Sequence, residues 1–244
     1  MPDQGRLTQE RLPHASPVAS PLYPKPPWRL PGARVLKLVY ETDAEPVLAW
    51  LPPKLTRSSP PYVVLTVAHY PESPVGPFSL ASQHIGCRAG FFIRALTYHA
   101  VTDRIAALAA LREVWGFPCT LGEITLDAKG QVVTASVAVG GETVAVASLS
   151  DASPIEGGSV RFDPVLNVRM TPSMEEGKQH DLLQLVQVDP DAEVRKALRG
   201  RGALRLTSAS AVAPWHVLPV RYMVSAVYCT VDTELPLARF VMPY

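Results

Sequence analysis

The chain has 244 residues, 47% hydrophobic and 18% charged, a formal net charge of +1 and a mean hydropathy of +0.10. That is ample material for a buried core, and the near-neutral balance, with no basic block or basic–aromatic alternation, argues against a nucleic-acid partner. No apolar run of about 18 residues marks a membrane helix, and Met1 to Ser16 lacks the apolar stretch of a secretory signal, so a soluble cytoplasmic protein is expected. Cys87, Cys119 and Cys229 are too widely spaced for a disulfide framework and read as reduced, buried thiols.

Residues 1–20 read as a flexible arm, followed by one domain over 21–244. Proline clusters such as Pro21-Leu22-Tyr23-Pro24-Lys25-Pro26-Pro27 favour extended chain over helix. Arg34–Glu41 reads as a strand. Thr42 or Asp43 then caps a short helix that runs to Leu51 and is stopped by Pro52-Pro53. Tyr62–Tyr70 is a strand, and Ser79–Cys87 and Gly90–Val101 form a hairpin turning near Arg88-Ala89-Gly90. Thr102 or Asp103 caps the Ala/Leu-rich helix Arg104–Val114. Strands follow at Leu121–Leu126, Gln131–Val139 and Glu142–Ser148, with turn chemistry at Asp127–Gly130 and Gly140-Gly141. Further strands are expected at Leu166–Met170, Leu182–Val188, Ala203–Ser208 and Val217–Thr230, with a short helix over Asp191–Arg199. Many short strands between Gly, Pro and Asp turns make a mainly β barrel or sandwich.

The segment Arg112-Glu113-Val114-Trp115-Gly116-Phe117-Pro118-Cys119-Thr120 resembles the active-site segment of the acetoacetate decarboxylase family, roughly Arg-Glu-x-Trp/Tyr-Gly-Tyr/Phe-Pro-Lys-Lys. Other stretches agree in order: Ser20-Pro21-Leu22-Tyr23-Pro24, Val39-Tyr40-Glu41-Thr42-Asp43, Leu51-Pro52-Pro53, Ala203-Leu204-Arg205-Leu206, and Leu218-Pro219-Val220-Arg221. The resemblance implies an antiparallel cone-shaped β-barrel with a few peripheral short helices, an interior substrate pocket and self-association into a homo-oligomer.

It also implies a catalytic lysine that this chain lacks. A desolvated lysine amine attacks a keto acid and forms a Schiff base, a mechanism for which acetoacetate decarboxylase is the standard example. Here Cys119 and Thr120 replace the two lysines, and Leu80 stands where the family has a glutamate. A thiol adds to a carbonyl without giving an iminium, so residue 119 cannot supply the electron sink. A relocated lysine is the one way back. Lys37 lies mid-strand and faces either inward or, as a lone strand lysine usually does, outward; Lys129 falls in a hairpin turn.

The resemblance puts Arg34 near a family pocket arginine, where paired N–H donors would hold an oxyanion; the alternative is a surface charge at a strand start. His99 and Cys119 are further catalytic candidates, the first as acid or base and the second as nucleophile or small wall residue. His69, Leu80, His84, Trp115, Phe117 and Thr120 are expected to touch substrate. Arg112 and Glu113, read as a buried pair anchoring the loop, and Gly116 and Pro118 are expected to shape the site. No metal is expected from this His/Cys spacing, and no cofactor. The resulting expectation is an altered enzyme of this resemblance, working without a Schiff base on a small carbonyl, keto-acid or polyketide-like intermediate by a lyase, dehydratase or cyclase step, with secondary metabolism as its expected setting. The alternatives are a non-catalytic small-molecule-binding homologue and a decarboxylase using a relocated lysine.

Overall fold

The computed structural model describes residues 4–207 and 209–244. Two α-helices, α1 (Ala44–Trp50) and α2 (Ile105–Glu113), accompany fourteen strands among the described residues. In chain order the strands are β1 (Trp28–Glu41), β2 (Thr56–Arg57), β3 (Tyr62–Tyr70), β4 (Phe78–Ala89), β5 (Phe92–Thr102), β6 (Cys119–Leu121) and β7 (Glu123–Lys129). They continue with β8 (Val132–Val139), β9 (Glu142–Ile155), β10 (Val165–Pro172), β11 (His180–Val188), β12 (Asp191–Leu206), β13 (Tyr222–Leu235) and β14 (Arg239–Pro243). No helix of the described residues is long and apolar enough to cross a membrane.

All strands join one sheet whose main path runs β14-β11-β10-β5-β4-β3-β1-β13-β12-β9-β8-β7. It is mainly antiparallel, as expected, with short parallel pairings of β10 and β6 to β5. The path does not close by hydrogen bonds. Instead β6, paired to β5, continues through Gly122 into β7 at the far end of the path, so the chain itself ties the two regions together.

The central strands obey period 2. Leu36, Leu38 and Tyr40 of β1, Val63, Leu65 and Val67 of β3, and Ala81 and Ile85 of β4 enter the largest core, shared with Val137, Leu149 and Trp215. A second core joins α2 and the turn after it to Tyr23 and the start of β1 through Trp28, Leu111 and Trp115; Trp28 and Trp115 meet edge-on with centroids 5.0 Å apart.

Several expected elements needed correction. Asp191–Arg199 is the first part of β12, not a helix, because β9 and β13 both pair with it and override the helix-forming Glu, Lys and Ala residues. The run Leu121–Leu126 is broken at Gly122 into β6 and β7, and the final long strand begins at Tyr222, after a 3₁₀ turn at Trp215–Val217. The Ala203–Ser208 strand is the end of β12; Ser208 lies outside the described residues. Neither helix is capped as expected. Asp43 accepts hydrogen bonds from Arg221, while Asp103 Oδ1 accepts from the Ser79 amide at 2.7 Å and Thr102 Oγ1 donates to Ser79 O at 2.8 Å. Asp43 thus ties the start of α1 to the segment before β13, and Thr102 and Asp103 tie the end of β5 to β4.

Candidate active site

The cavity face of the central strands is the one that turns away from the largest core. Val35 and Lys37 of β1, Val64, Thr66, Ala68 and Tyr70 of β3, and Phe78, Leu80, Ser82 and His84 of β4 form one wall. Val231 and Thr233 of β13, which pairs with β1, extend this wall, and Phe162, Asp163, Val165, Val188 and Pro190 complete the lining, with Leu111 and Phe117 also in it. The space they line, mouth included, is about 1080 Å³. Most of this lining is apolar; the ionisable side chains in it are Lys37, His84, Asp163 and Tyr70.

Lys37 needs the closest reading. A lone lysine in a strand normally points to water, but the strand face it occupies is covered by residues 161–163. Its Nζ donates a hydrogen bond to Arg161 O and lies 5.5 Å from the centroid of the Phe162 ring. Burial lowers its pKa, with the Asp163 and Cys229 side chains pulling the other way. The outward reading of Lys37 is therefore corrected: it lines the cavity.

His84 lies on the same wall, two strands away. One ring nitrogen is 2.7 Å from Ser82 Oγ and the other 3.2 Å from Thr97 Oγ1. Burial, and secondarily the Lys37 charge, push its pKa down to about 4, so the ring is neutral at pH 7. Each ring nitrogen has a hydroxyl that can donate or accept, which suits a neutral imidazole.

The family-like segment lies beside this cavity, and only Phe117 of it reaches the lining. Gly116 has φ +68° and its backbone presses on Arg169, where an added Cβ would meet the Arg169 Cβ at 2.9 Å and Cα at 3.0 Å. Trp115 donates from Nε1 to Pro236 O at 2.5 Å and its carbonyl accepts from Asn167 Nδ2 at 2.7 Å. These contacts fix the turn. Cys119 is buried in the second core, away from the cavity lining, and burial pushes its thiol up to about 12.

Of the expected substrate contacts, Leu80, His84 and Phe117 do line the cavity; His69, Trp115 and Thr120 do not. The expected catalytic residues are dispersed. His99, Cys119 and Thr120 meet, with Arg112 and Pro118, around a separate, open surface cleft. There His99 Nδ1 accepts from Trp215 Nε1 at 2.8 Å, Thr120 Oγ1 is 3.5 Å from Nε2, and burial lowers the ring's pKa to about 4. Arg34 is outside the cavity lining and pairs across the sheet with His69 on β3, whose Nδ1 is 3.2 Å from Ser79 Oγ. Arg112 and Glu113 are both exposed and form no pair with each other. Adjacent helix residues point apart, and Glu113 instead accepts from the Tyr23 hydroxyl at 2.6 Å. Thr66, Ser82, Phe162 and Asp163 line the cavity without a mark in the sequence: Thr66 is an isolated polar residue among apolar strand neighbours, Ser82 is one of several polar residues of β4, and Phe162 and Asp163 lie in the segment before β10. No cluster of His, Cys, Asp and Glu among the described residues is built to hold a metal.

A family model for acetoacetate decarboxylase (ADC) matches residues 12–244. Two relatives from Mesorhizobium japonicum, "Acetoacetate decarboxylase 2" and "Acetoacetate decarboxylase 1", are 27% and 29% identical over 238 residues, each over 94% of this chain and over 89% and 94% of theirs. Among solved structures, an acetoacetate decarboxylase from Legionella pneumophila superposes with a TM-score of 0.88 at 24% identity, covering 99% of both chains. The enduracididine biosynthesis enzyme MppR, solved with the condensation product of pyruvate and imidazole 4-carboxaldehyde, gives 0.81 at 16%, covering 99% of this chain and 100% of its own. These structural likenesses show the fold alone. The family match, spanning nearly the whole described chain, makes this protein a member of the acetoacetate decarboxylase family.

Proposed function

We propose that this chain is an enzyme that converts a small carbonyl compound with an apolar body, by a lyase, dehydratase or cyclase type of step, inside the cavity lined by β1, β3, β4 and β13. The observation that carries this reading is the cavity itself: apolar over most of its lining, with Lys37, Thr66, Ser82, His84 and Asp163 as a sparse polar set. A few placed polar groups in an apolar cleft orient a substrate and make its electrostatic interactions strong. An imine at residue 119 is closed to this chain, since Cys119 carries a thiol and lies outside the lining. The reaction therefore departs from that of a relative with a lysine at this place.

The test is to incubate the purified protein with a panel of 2-oxo acids, 3-oxo acids, aldehydes and ketones and follow each by proton NMR. At least one carbonyl compound should be consumed, and Leu80→Trp, which fills the cavity from β4, should slow it about tenfold or more. Binding by calorimetry with no consumption would replace this reading with that of a non-catalytic binder. Neither binding nor consumption would overturn both.

A further inference from the structure

We infer that Lys37 is the reactive amine of this cavity and that its partner is an uncharged aldehyde or ketone, held as an imine beside Asp163. The inference rests on the reading of the cavity as a carbonyl site and names the residue and substrate class within it.

Lys37 is the lysine among the cavity-lining residues, and no arginine lines it. Its place on β1 is set by pairing on both sides, to Thr66 of β3 and Val227 of β13, so its Cα cannot shift without breaking two ladders. The roof residues hold the amine from the other side: Arg161 O accepts from Nζ and the Phe162 ring lies against it. Burial favours the uncharged amine, which is the form with a lone pair to donate. The step balances. Nζ adds to the carbonyl carbon, forming C–N while the C=O π pair moves to oxygen. That oxygen takes one proton from the nitrogen and a second from water, then departs as water. The iminium that remains accepts an electron pair from the neighbouring carbon: the hydroxide left by that water takes the α-proton, or takes the proton of a β-hydroxyl so that the Cα–Cβ bond breaks and the β fragment departs as a second carbonyl compound. The enamine so formed regains a proton at Cα from water, and water then adds to the iminium carbon to release the product carbonyl and free the amine.

Charge selects the substrate. Once Nζ is an iminium, the Asp163 carboxylate already opposes it. His84 adds no positive charge, because both its ring nitrogens are occupied by Ser82 and Thr97 in a buried, neutral state. A substrate carboxylate would bring a second negative charge to a lining with one cation and no arginine. An uncharged carbonyl avoids that repulsion, so bond-making or bond-breaking next to a neutral carbonyl fits this cavity better than loss of CO2 from a keto acid.

The experiment treats the full chain at pH 7 with sodium cyanoborohydride and either acetone or pyruvate, and reads modification of each lysine by peptide mass spectrometry against time. Lys37 should be reduced about tenfold or more faster than Lys25, Lys54, Lys129, Lys178 and Lys196, and about tenfold faster with acetone than with pyruvate. Lys37→Gln should lose the fast phase. Asp163→Asn should narrow the acetone–pyruvate gap. Labelling of Lys37 no faster than of the others would overturn the inference while leaving carbonyl turnover, measured separately, to stand or fall by itself. Fast labelling without turnover of any carbonyl would keep the amine assignment and refute the enzyme reading. Equal rates for acetone and pyruvate would overturn the charge selection.

Discussion

Acidification from pH 7 to pH 5 should weaken the fold through two buried histidines. His84 and His99 are buried, and burial lowers each from 6.5 to about 4. A histidine whose folded pKa is depressed binds fewer protons when folded than when unfolded, so stability falls as pH drops through the ordinary value and levels off below the folded one. At pH 5 an unfolded ring is almost wholly protonated and a folded one hardly at all, which costs about 2 kcal/mol per ring, or about 4 kcal/mol together. Against a typical domain stability of about 5–15 kcal/mol this is large. Carboxylates held low, such as Asp43 by its hydrogen bond from Arg221, lose their contribution only at lower pH, so the window isolates the histidines. His69, also lowered by burial, adds a smaller drop of the same sign. The assay is urea unfolding followed by tryptophan fluorescence at pH 5, 6, 7 and 8 for the natural chain, His84→Gln, His99→Gln and the double variant. Each single variant should remove about half of the pH dependence and the double should leave only the remainder from His69. A midpoint unchanged between pH 7 and pH 5, or a double variant with the full slope, would refute the reasoning.

Burial raises Cys87 and Cys119 to about 12 and Cys229 to about 11. All three should therefore resist a thiol-disulfide reagent in the native protein and react at once in denaturant; fast native labelling of Cys119 would revive it as a nucleophile. Trp215→Phe removes the donor to His99 Nδ1 and leaves a buried acceptor unpaired, so it should cost about 1–3 kcal/mol by chemical unfolding; a neutral result would mean that water reaches the ring. At Gly86 an added Cβ would lie 2.2 Å from Tyr62 Cζ. Gly86→Ala should cost about 1–3 kcal/mol, most of it absent in a Tyr62→Ala background, and equal costs in both backgrounds would show that the ring is not what restricts this position.

Much of the fold can be read along the chain because period 2 is a local property. Tyr62–Tyr70 is a strand end to end, and the Ala/Leu-rich run before Trp115 is α2 within a residue at each end. Gly116 and Pro118 mark a turn that the structure builds at that place, since a left-handed glycine and a proline restrict the backbone without help from afar. The absence of an amine at residue 119 is likewise a fact of the sequence alone. What period 2 cannot say is what each face meets. Leu36 and Lys37 alternate identically whether the second face sees water or another layer, and only the pairing of β1 with β13 and the roof at 161–163 made it a cavity wall. Long-range pairing with β13 and β9 likewise turned Asp191–Arg199 from a helix-forming run into β12, and packing against the core around α2 buried Cys119. Local chemistry marked most of the strands and the turn, and the resemblance marked the missing lysine. Contacts such as Lys37 with Arg161 and β1 with β13, more than a hundred positions apart, decided what the second face of β1 meets, because the partners of a strand and the cover over its face lie outside any local window.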